Sequence, residues 1–280
     1  MVNVENKEKD LEILISTMNR TSLGFLSNMF PDDYINYNIL IVNQTSKANI
    51  LKSNYSNIRV INSFEKGISK SRNLAIQNAK AVYCLLADDD IQYQQSFSKK
   101  ILDAFVDYKE ADIVTFQMIN DKGELYNRYP DTVKHDRKTV STVNSVVIAF
   151  RRKSVVEHNL FFNNYFGLGS IFETADEYVF LRSCLRANLN LFYKPIIILK
   201  HPCYSSGTDV SSDKVIFARS AVFYKYNGIV TYFKLAYHLL LLLKNNDLYF
   251  SQLFIKYKAG LKGILKYKSL LRQGLEIRNS

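Results

Sequence analysis

Residues 81–90, Ala81-Val82-Tyr83-Cys84-Leu85-Leu86-Ala87-Asp88-Asp89-Asp90, decide the architecture of this chain. The apolar half is short and unbroken, as in a strand buried on both faces. Three carboxylates then crowd together where the strand leaves its sheet. Crowded carboxylates repel one another and stay ionised at low cost only with a cation to hold. Oxygen ligands on a strand end suit Mg²⁺ or Mn²⁺, ions that usually carry a phosphate. The stretch therefore points to a site for a metal-bound diphosphate. A solvated acidic turn is the plain alternative, and the buried run before it weighs against that.

Working outward, Leu11 to Thr17, Asn38 to Asn43 and Asn57 to Asn62 read as three strands. Gly67 to Lys80 has helical spacing, Gln94 to Lys109 is a second helix, and Ala111 to Gln117 is another strand. Residues 118–142 are polar and read as a hairpin or loop. Ser145 to Phe150 returns to the sheet, residues 159–174 suit a mobile loop, and a helix follows Thr174 up to Ala187. Asn190 to Leu199 is strand-like and broken at Pro195. Alternating strands and helices predict an α/β fold, a mostly parallel Rossmann-like sheet with helices on both faces. Such sheets bind ligands at the carboxyl ends of their strands, the edge that the acidic triplet would face.

The 280 residues are 47% hydrophobic, enough for one large domain with an extension. Cys84, Cys184 and Cys203 have no paired spacing, which predicts reduced thiols in a cytosolic protein. Met1 to Asp10 is polar and charged, so no signal peptide is expected. The net charge of +11 is uneven: residues 214–280 hold twelve Lys/Arg against two acids. The chain reads as a near-neutral body, residues 1–212, and a basic helical tail, residues 213–280.

In that tail, Leu235 to Leu243 is too short to span a bilayer. Phe250, Leu253, Phe254, Tyr257, Leu261, Ile264 and Leu265 share one helical stripe, and Lys258, Lys262 and Lys266 another. This is the pattern of a helix lying on an anionic membrane surface, where each cation contributes about 1 kcal/mol. Gly260 and Gly263 weaken the helix by about 1 kcal/mol each, which predicts that it forms only when bound. A bundle packed on the body and a dimer interface are the competing readings, and the sequence leaves the oligomeric state open.

The segment Gly67-Ile68-Ser69-Lys70-Ser71-Arg72-Asn73-Leu74-Ala75 and the run from Ala79 to Ile91 resemble family 2 glycosyltransferases of the GT-A fold. Ser16-Thr17-Met18-Asn19-Arg20 resembles the opening segment of that family. Ala175-Asp176-Glu177-Tyr178 resembles its late acidic pair at a helix start. The resemblance covers roughly residues 10–205. It implies that Thr17, Asn19, Arg20, Gln44 and Arg72 line the nucleotide and that Asp89 meets the ribose. It further implies that Asp90, assisted by Asp88 and His201, holds Mn²⁺ or Mg²⁺, and that Asp176 and Glu177 contain the catalytic base. The chain departs from the pattern at Ser16, Met18, Asn43-Gln44 and Ala87, and in the Asp-Glu order of the late pair. An amide at Gln44 still hydrogen-bonds a uracil edge.

The chemistry fits these residues in its own right. A cation on Asp90 offsets the charge growing on a leaving diphosphate, and a carboxylate at Glu177 or Asp176 can take a proton from an attacking hydroxyl. Simpler roles compete: Asp176 and Glu177 as complements to a helix N-terminus, His201 as a loop histidine, Arg72 as a surface residue. His135, His158 and His238 have no partner pattern and read as structural. The expected protein is an inverting, metal-dependent glycosyltransferase using a nucleotide sugar, of the UDP type. Its acceptor is a saccharide or lipid-linked hydroxyl in bacterial surface polysaccharide synthesis, met at the cytosolic membrane face without nucleic acid. The rivals are a nucleotidyltransferase, disfavoured by the single glycine in Ser16 to Gly24, and a non-catalytic basic binding protein.

Overall fold

The structure, a computed structural model, describes residues 10–202 and 210–278. Cys203 and residues 1–9, on which part of the thiol and leader expectations rest, lie outside the described residues. Cys84 and Cys184 are buried free thiols. The chain forms two compact units. One comprises Met1–Asn163 and Phe180–Cys203, the other Asn164–Val179 and Tyr204–Ser280.

The first unit is built on one sheet. Its strands are β1 (Leu11–Met18), β2 (Asn38–Gln44), β3 (Ile58–Ser63), β4 (Tyr83–Asp88), β5 (Gln92–Tyr93), β6 (Ile113–Ile119), β7 (Ile148–Arg151) and β8 (Leu191–Lys200). They lie in the order β3-β2-β1-β4-β7-β6-β8-β5. The pairs β1–β2, β1–β4, β2–β3 and β6–β8 are parallel, and β7 enters antiparallel between β4 and β6. This is the expected mostly parallel α/β sheet. Every residue from Leu11 to Thr17 is buried, as is Ile39 to Gln44, so both faces of the central strands are covered. Helices α1 (Leu26–Met29), α2 (Ile68–Asn78), α3 (Phe97–Asp107), α4 (Arg152–Glu157) and α5 (Asp176–Arg186) alternate with the strands. Helix α2 packs on β1 and β2, and α3 on β6 and β8.

Two expectations change. Pro195 does not end its strand. Residue Thr115 of β6 pairs with Tyr193 and Gln117 with Ile197, so β8 bulges outward through Pro195 and then resumes. A proline lacks the ladder N–H, and a bulge removes the need for it. Nor is the 159–174 stretch a loose loop: Phe166 and Phe172 are fully buried in the core of the second unit.

Three helices carry that second unit: α6 (Asp213–Asn227), α7 (Thr231–Lys244) and α8 (Leu253–Arg272). Helix α7 turns Leu235, Leu239 and Leu242 inward at helical spacing to meet Ile216 and Ile264. Gly260 and Gly263 of α8 are both buried. A Cβ on Gly260 would stand 2.5 Å from Leu235, and one on Gly263 would stand 2.0 Å from the Phe217 carbonyl oxygen. The glycines therefore let α8 approach α6 and α7 closely, and the surface that stabilises α8 belongs to its own unit. The expected apolar stripe splits for the same reason. Ile264 is buried while Phe250, Phe254 and Leu265 are exposed, because the inward line runs through Gly260, Gly263, Ile264, Tyr267 and Leu270. Among the described residues, no helix is long and apolar enough to cross a membrane.

Candidate active site

Parallel register aligns the carboxyl ends of three strands: Ser16 lies beside Asp88, Thr17 beside Asn43, and Met18 beside Gln44. Past the end of β1 the chain turns through Asn19, whose φ of 55° is left-handed, a conformation that asparagine tolerates better than most residues. That turn brings Arg20 back over the edge. The Thr17 hydroxyl donates to Asp89 at 2.5 Å, and the Arg20 guanidinium donates to the same carboxylate oxygen at 2.7 Å. Thr17, Arg20 and Asp89 thus form one cluster.

Two amides at the same edge make contacts to the backbone. Asn43 is fully buried and grips the Arg20 backbone from both sides, accepting from its N–H at 3.0 Å and donating to its carbonyl at 2.9 Å. Asn43 also donates to Asn62, tying the ends of β2 and β3 together. Gln44, expected near the nucleotide, is buried and accepts from the Gly67 N–H at 2.7 Å. It thereby anchors the start of α2, where Gly67 has a φ of 122°. The sequence does not reveal these backbone contacts of Asn43 and Gln44, because an amide at a strand end reads as a ligand contact just as well.

Arg72 sits on α2 with 5% of its side chain exposed. It donates to both oxygens of Asp88, at 3.0 and 3.2 Å, and to the Ser145 hydroxyl at 2.7 Å. The Phe162 ring lies 5.5 Å from the guanidinium. Ser71 donates to Ser16 at 3.0 Å, so the serine that departs from the family pattern fastens α2 to β1. Asp88 is thereby held by a buried cation, while the next two carboxylates point to other partners. Nothing in the sequence pairs Arg72 with Ser145, since 73 positions separate them.

Asp90 meets His201, which follows β8. The histidine Nε2 lies 3.9 Å from the Asp90 carboxylate. Its Nδ1 lies 2.8 Å from the Pro202 carbonyl, which can only accept. In the neutral ring, Nδ1 therefore carries the proton and Nε2 turns its lone pair toward Asp90. Burial pushes the Asp90 carboxyl above its ordinary range; His201 opposes this, and the charges of Asp88 and Asp89 add to it. A carboxylate and an imidazole lone pair facing each other fit a divalent ion. Mg²⁺ in particular takes few protein ligands and completes its shell with water and phosphate oxygens. Among the described residues no third acidic, histidine or cysteine group joins them.

Asp176 and Glu177 open α5, after Ala175 turns the chain through a φ of 66°. Both carboxylates sit in its first turn, where the helix dipole favours negative charge. Asp176 is 5% exposed and Glu177 is half-buried. Both belong to the second unit, and the triplet, Arg72 and His201 belong to the first.

The fold is an α/β sheet whose strands bring Thr17, Arg20, Asp88, Asp89 and Asp90 together at their carboxyl edge. The model of the glycosyl transferase family 2 matches residues 4–173, and the chain belongs to that family. It is a glycosyltransferase. Solved structures of S. aureus TarS 1–349 share the fold at 12% identity, covering 94% of this chain and 91% of that chain, with a TM-score of 0.53. The same protein in complex with UDP-GlcNAc aligns with a TM-score of 0.51, also at 12% identity, over 94% of this chain and 92% of that one. The chain spans 39% of the longer TarS chain. No curated protein matches the sequence.

Proposed function

We propose that this enzyme transfers a sugar from a UDP-sugar to a hydroxyl of a saccharide or lipid-linked acceptor, with inversion, in bacterial surface polysaccharide synthesis. The observation that carries this reading is the gathering of Thr17, Arg20 and Asp89 next to the Asp90–His201 pair on one sheet edge. Thr17, Arg20 and Asp89 bind the nucleoside, with Asn19 shaping the turn beside them. Asp90 and His201 hold Mn²⁺ or Mg²⁺, which when bound supplies positive charge to the diphosphate. Asp88 and Arg72 position the triplet from below. TarS structures contain UDP and UDP-GlcNAc, which supports a uridine nucleotide here.

Glu177 is the base that takes the acceptor proton, because it is the more accessible of the late pair. Attack from the face opposite the leaving group then inverts the anomeric carbon. The working place is an anionic membrane surface on the cytosolic side. The outer face of α7 supports this: Phe233 is 80% and Tyr237 62% exposed, with Leu240 on the same side. Lys258, Lys262 and Lys266 of α8 are exposed, and the unit is strongly basic.

The test is thermal unfolding with UDP and Mn²⁺. UDP with Mn²⁺ raises Tm in the parent protein, and Asp90→Ala loses the metal-dependent part of the shift. No shift with any nucleoside diphosphate overturns the donor reading. Glu177→Gln keeps the shift and loses transfer by 10²–10⁴-fold, the usual contribution of a general base. Full activity in that variant, with loss in Asp176→Asn, reverses the assignment. For the membrane, Phe233→Ser with Tyr237→Ser releases the protein from anionic vesicles; unchanged binding refutes the surface.

A further inference from the structure

The first unit contains a cavity of about 760 Å³ that the donor reading does not use. That volume falls within the range of small-ligand clefts, roughly 300–1,000 Å³. It is lined by Gln117 and Tyr193 of the sheet and by the stretch from Leu125 to Val133, with Pro195 at the β8 bulge. The bulge has a consequence here: where β8 bows away from β6 around Pro195, the sheet opens and the cavity floor forms.

We propose that this groove binds the acceptor as a neutral saccharide chain. A pyranose offers a face of C–H bonds and a rim of hydroxyls, so its binding site needs fixed aromatic rings beside amides and carboxylates. The groove has both. Half-buried Tyr129 offers its ring to the groove, and buried Tyr193, 4% exposed, backs it: the planes lie 4° apart with centroids 5.8 Å apart. Neither ring is loose: Tyr129 Oη accepts from the Met118 N–H at 2.9 Å, and Gln117 donates to Tyr193 Oη. Asn127 secures the loop by donating to the Thr142 carbonyl at 2.8 Å and to Asn144. A platform fixed before binding avoids the entropy of ordering it. The charged lining residues are one of each sign, Arg128 and Asp131. That balance suits an uncharged chain better than a phosphate or a nucleotide. Location completes the case. Tyr126, a lining residue, stands edge-on to His201 with centroids 5.3 Å apart, so the groove begins beside the proposed diphosphate end. A glycan held there by its body presents one terminal sugar toward that end.

This inference rests on the glycosyltransferase reading and names the acceptor class. Its test is saturation-transfer NMR on the full chain with cellobiose, lactose and chitobiose as probes, run beside the UDP–Mn²⁺ thermal shift. At least one disaccharide receives saturation. Tyr129→Ala weakens that binding tenfold or more, Tyr129→Phe, which keeps the ring and loses its Met118 anchor, weakens it less, and the UDP–Mn²⁺ shift stays at its parent value. Leu125→Arg alters an exposed lining residue without touching the core, and it too abolishes saccharide binding. Silence from all three probes overturns the proposal. So does undiminished binding in both Tyr129→Ala and Leu125→Arg, or a UDP shift that falls with Tyr129→Ala, which would give the groove to the donor. Saccharide binding without any UDP shift refutes the donor reading and leaves the groove standing.

Discussion

Arg72 holds Asp88 from a position almost sealed from water. Removing Arg72 leaves Asp88, 30% exposed and so partly solvated, without its partner, at a cost of about 1–3 kcal/mol. Arg72→Ala is therefore expected to lower stability by that order in urea melts, and to reduce the UDP–Mn²⁺ shift because Asp88 no longer fixes the triplet. His135 shows a second residue-scale effect. It lies between Thr115 and Thr139, and burial pulls its pKa down from 6.5 to about 4. The folded protein keeps this ring neutral, whereas the unfolded chain protonates it below about pH 6.5. Its contribution is full above that pH and is lost as the pH falls toward 4, by about 3 kcal/mol in all. His238, pulled to about 4 by burial and by nearby Arg219 and Lys234, adds to the same slope. Urea melts at pH 7 and pH 5 check this, and His135→Gln flattens part of the slope. The sequence showed the acidic triplet plainly, because adjacency is local. It concealed Arg72–Ser145 and Asn43–Arg20, because those pairings exist only after the strands align.

At the scale of elements, hydrophobic runs and periodicity located β1, β2, β3, α2 and β6 within a few residues of their observed bounds. Those elements are buried on one stripe or on both faces, and burial is what sequence pattern records. Pro195 misled because a bulge is a pairing property. Gly260 and Gly263 misled because propensity scales price glycine for an isolated helix, where its missing side chain only costs. Between packed helices the same absence permits contact. Gly263→Ala puts a methyl against the Phe217 carbonyl, which is backbone and cannot swing aside. The expected loss is about 1–3 kcal/mol, the usual penalty for overpacking, read as a lower melting point of the second unit. An equal or higher melting point would show that α8 stands farther off.

For the molecule as a whole, residues 276–278 close the second unit. Lys225 is 2% exposed, and its ammonium lies 2.7 Å from the Glu276 carboxylate and 3.1 Å from the Ile277 carbonyl. Tyr267 donates to the same carboxylate at 2.7 Å. Glu276→Ala strands a buried ammonium, and the expected cost is about 3–5 kcal/mol. The second unit then melts early in calorimetry while UDP–Mn²⁺ binding by the first unit persists. Loss of both together would mean that the two units unfold as one. The basic tail was legible as charge, but its use was not, because one of its twelve cations is spent inside.

Lys225 and Glu276 lie 51 positions apart. During synthesis the ammonium emerges first and waits for a counter-ion that the ribosome has not yet made. Until it arrives, burying that lysine is uphill, so helices α6 and α7 have reason to stay loose while the sheet domain is already folded. The buried ammonium of Lys225 thus gains its partner only once Glu276 has been made.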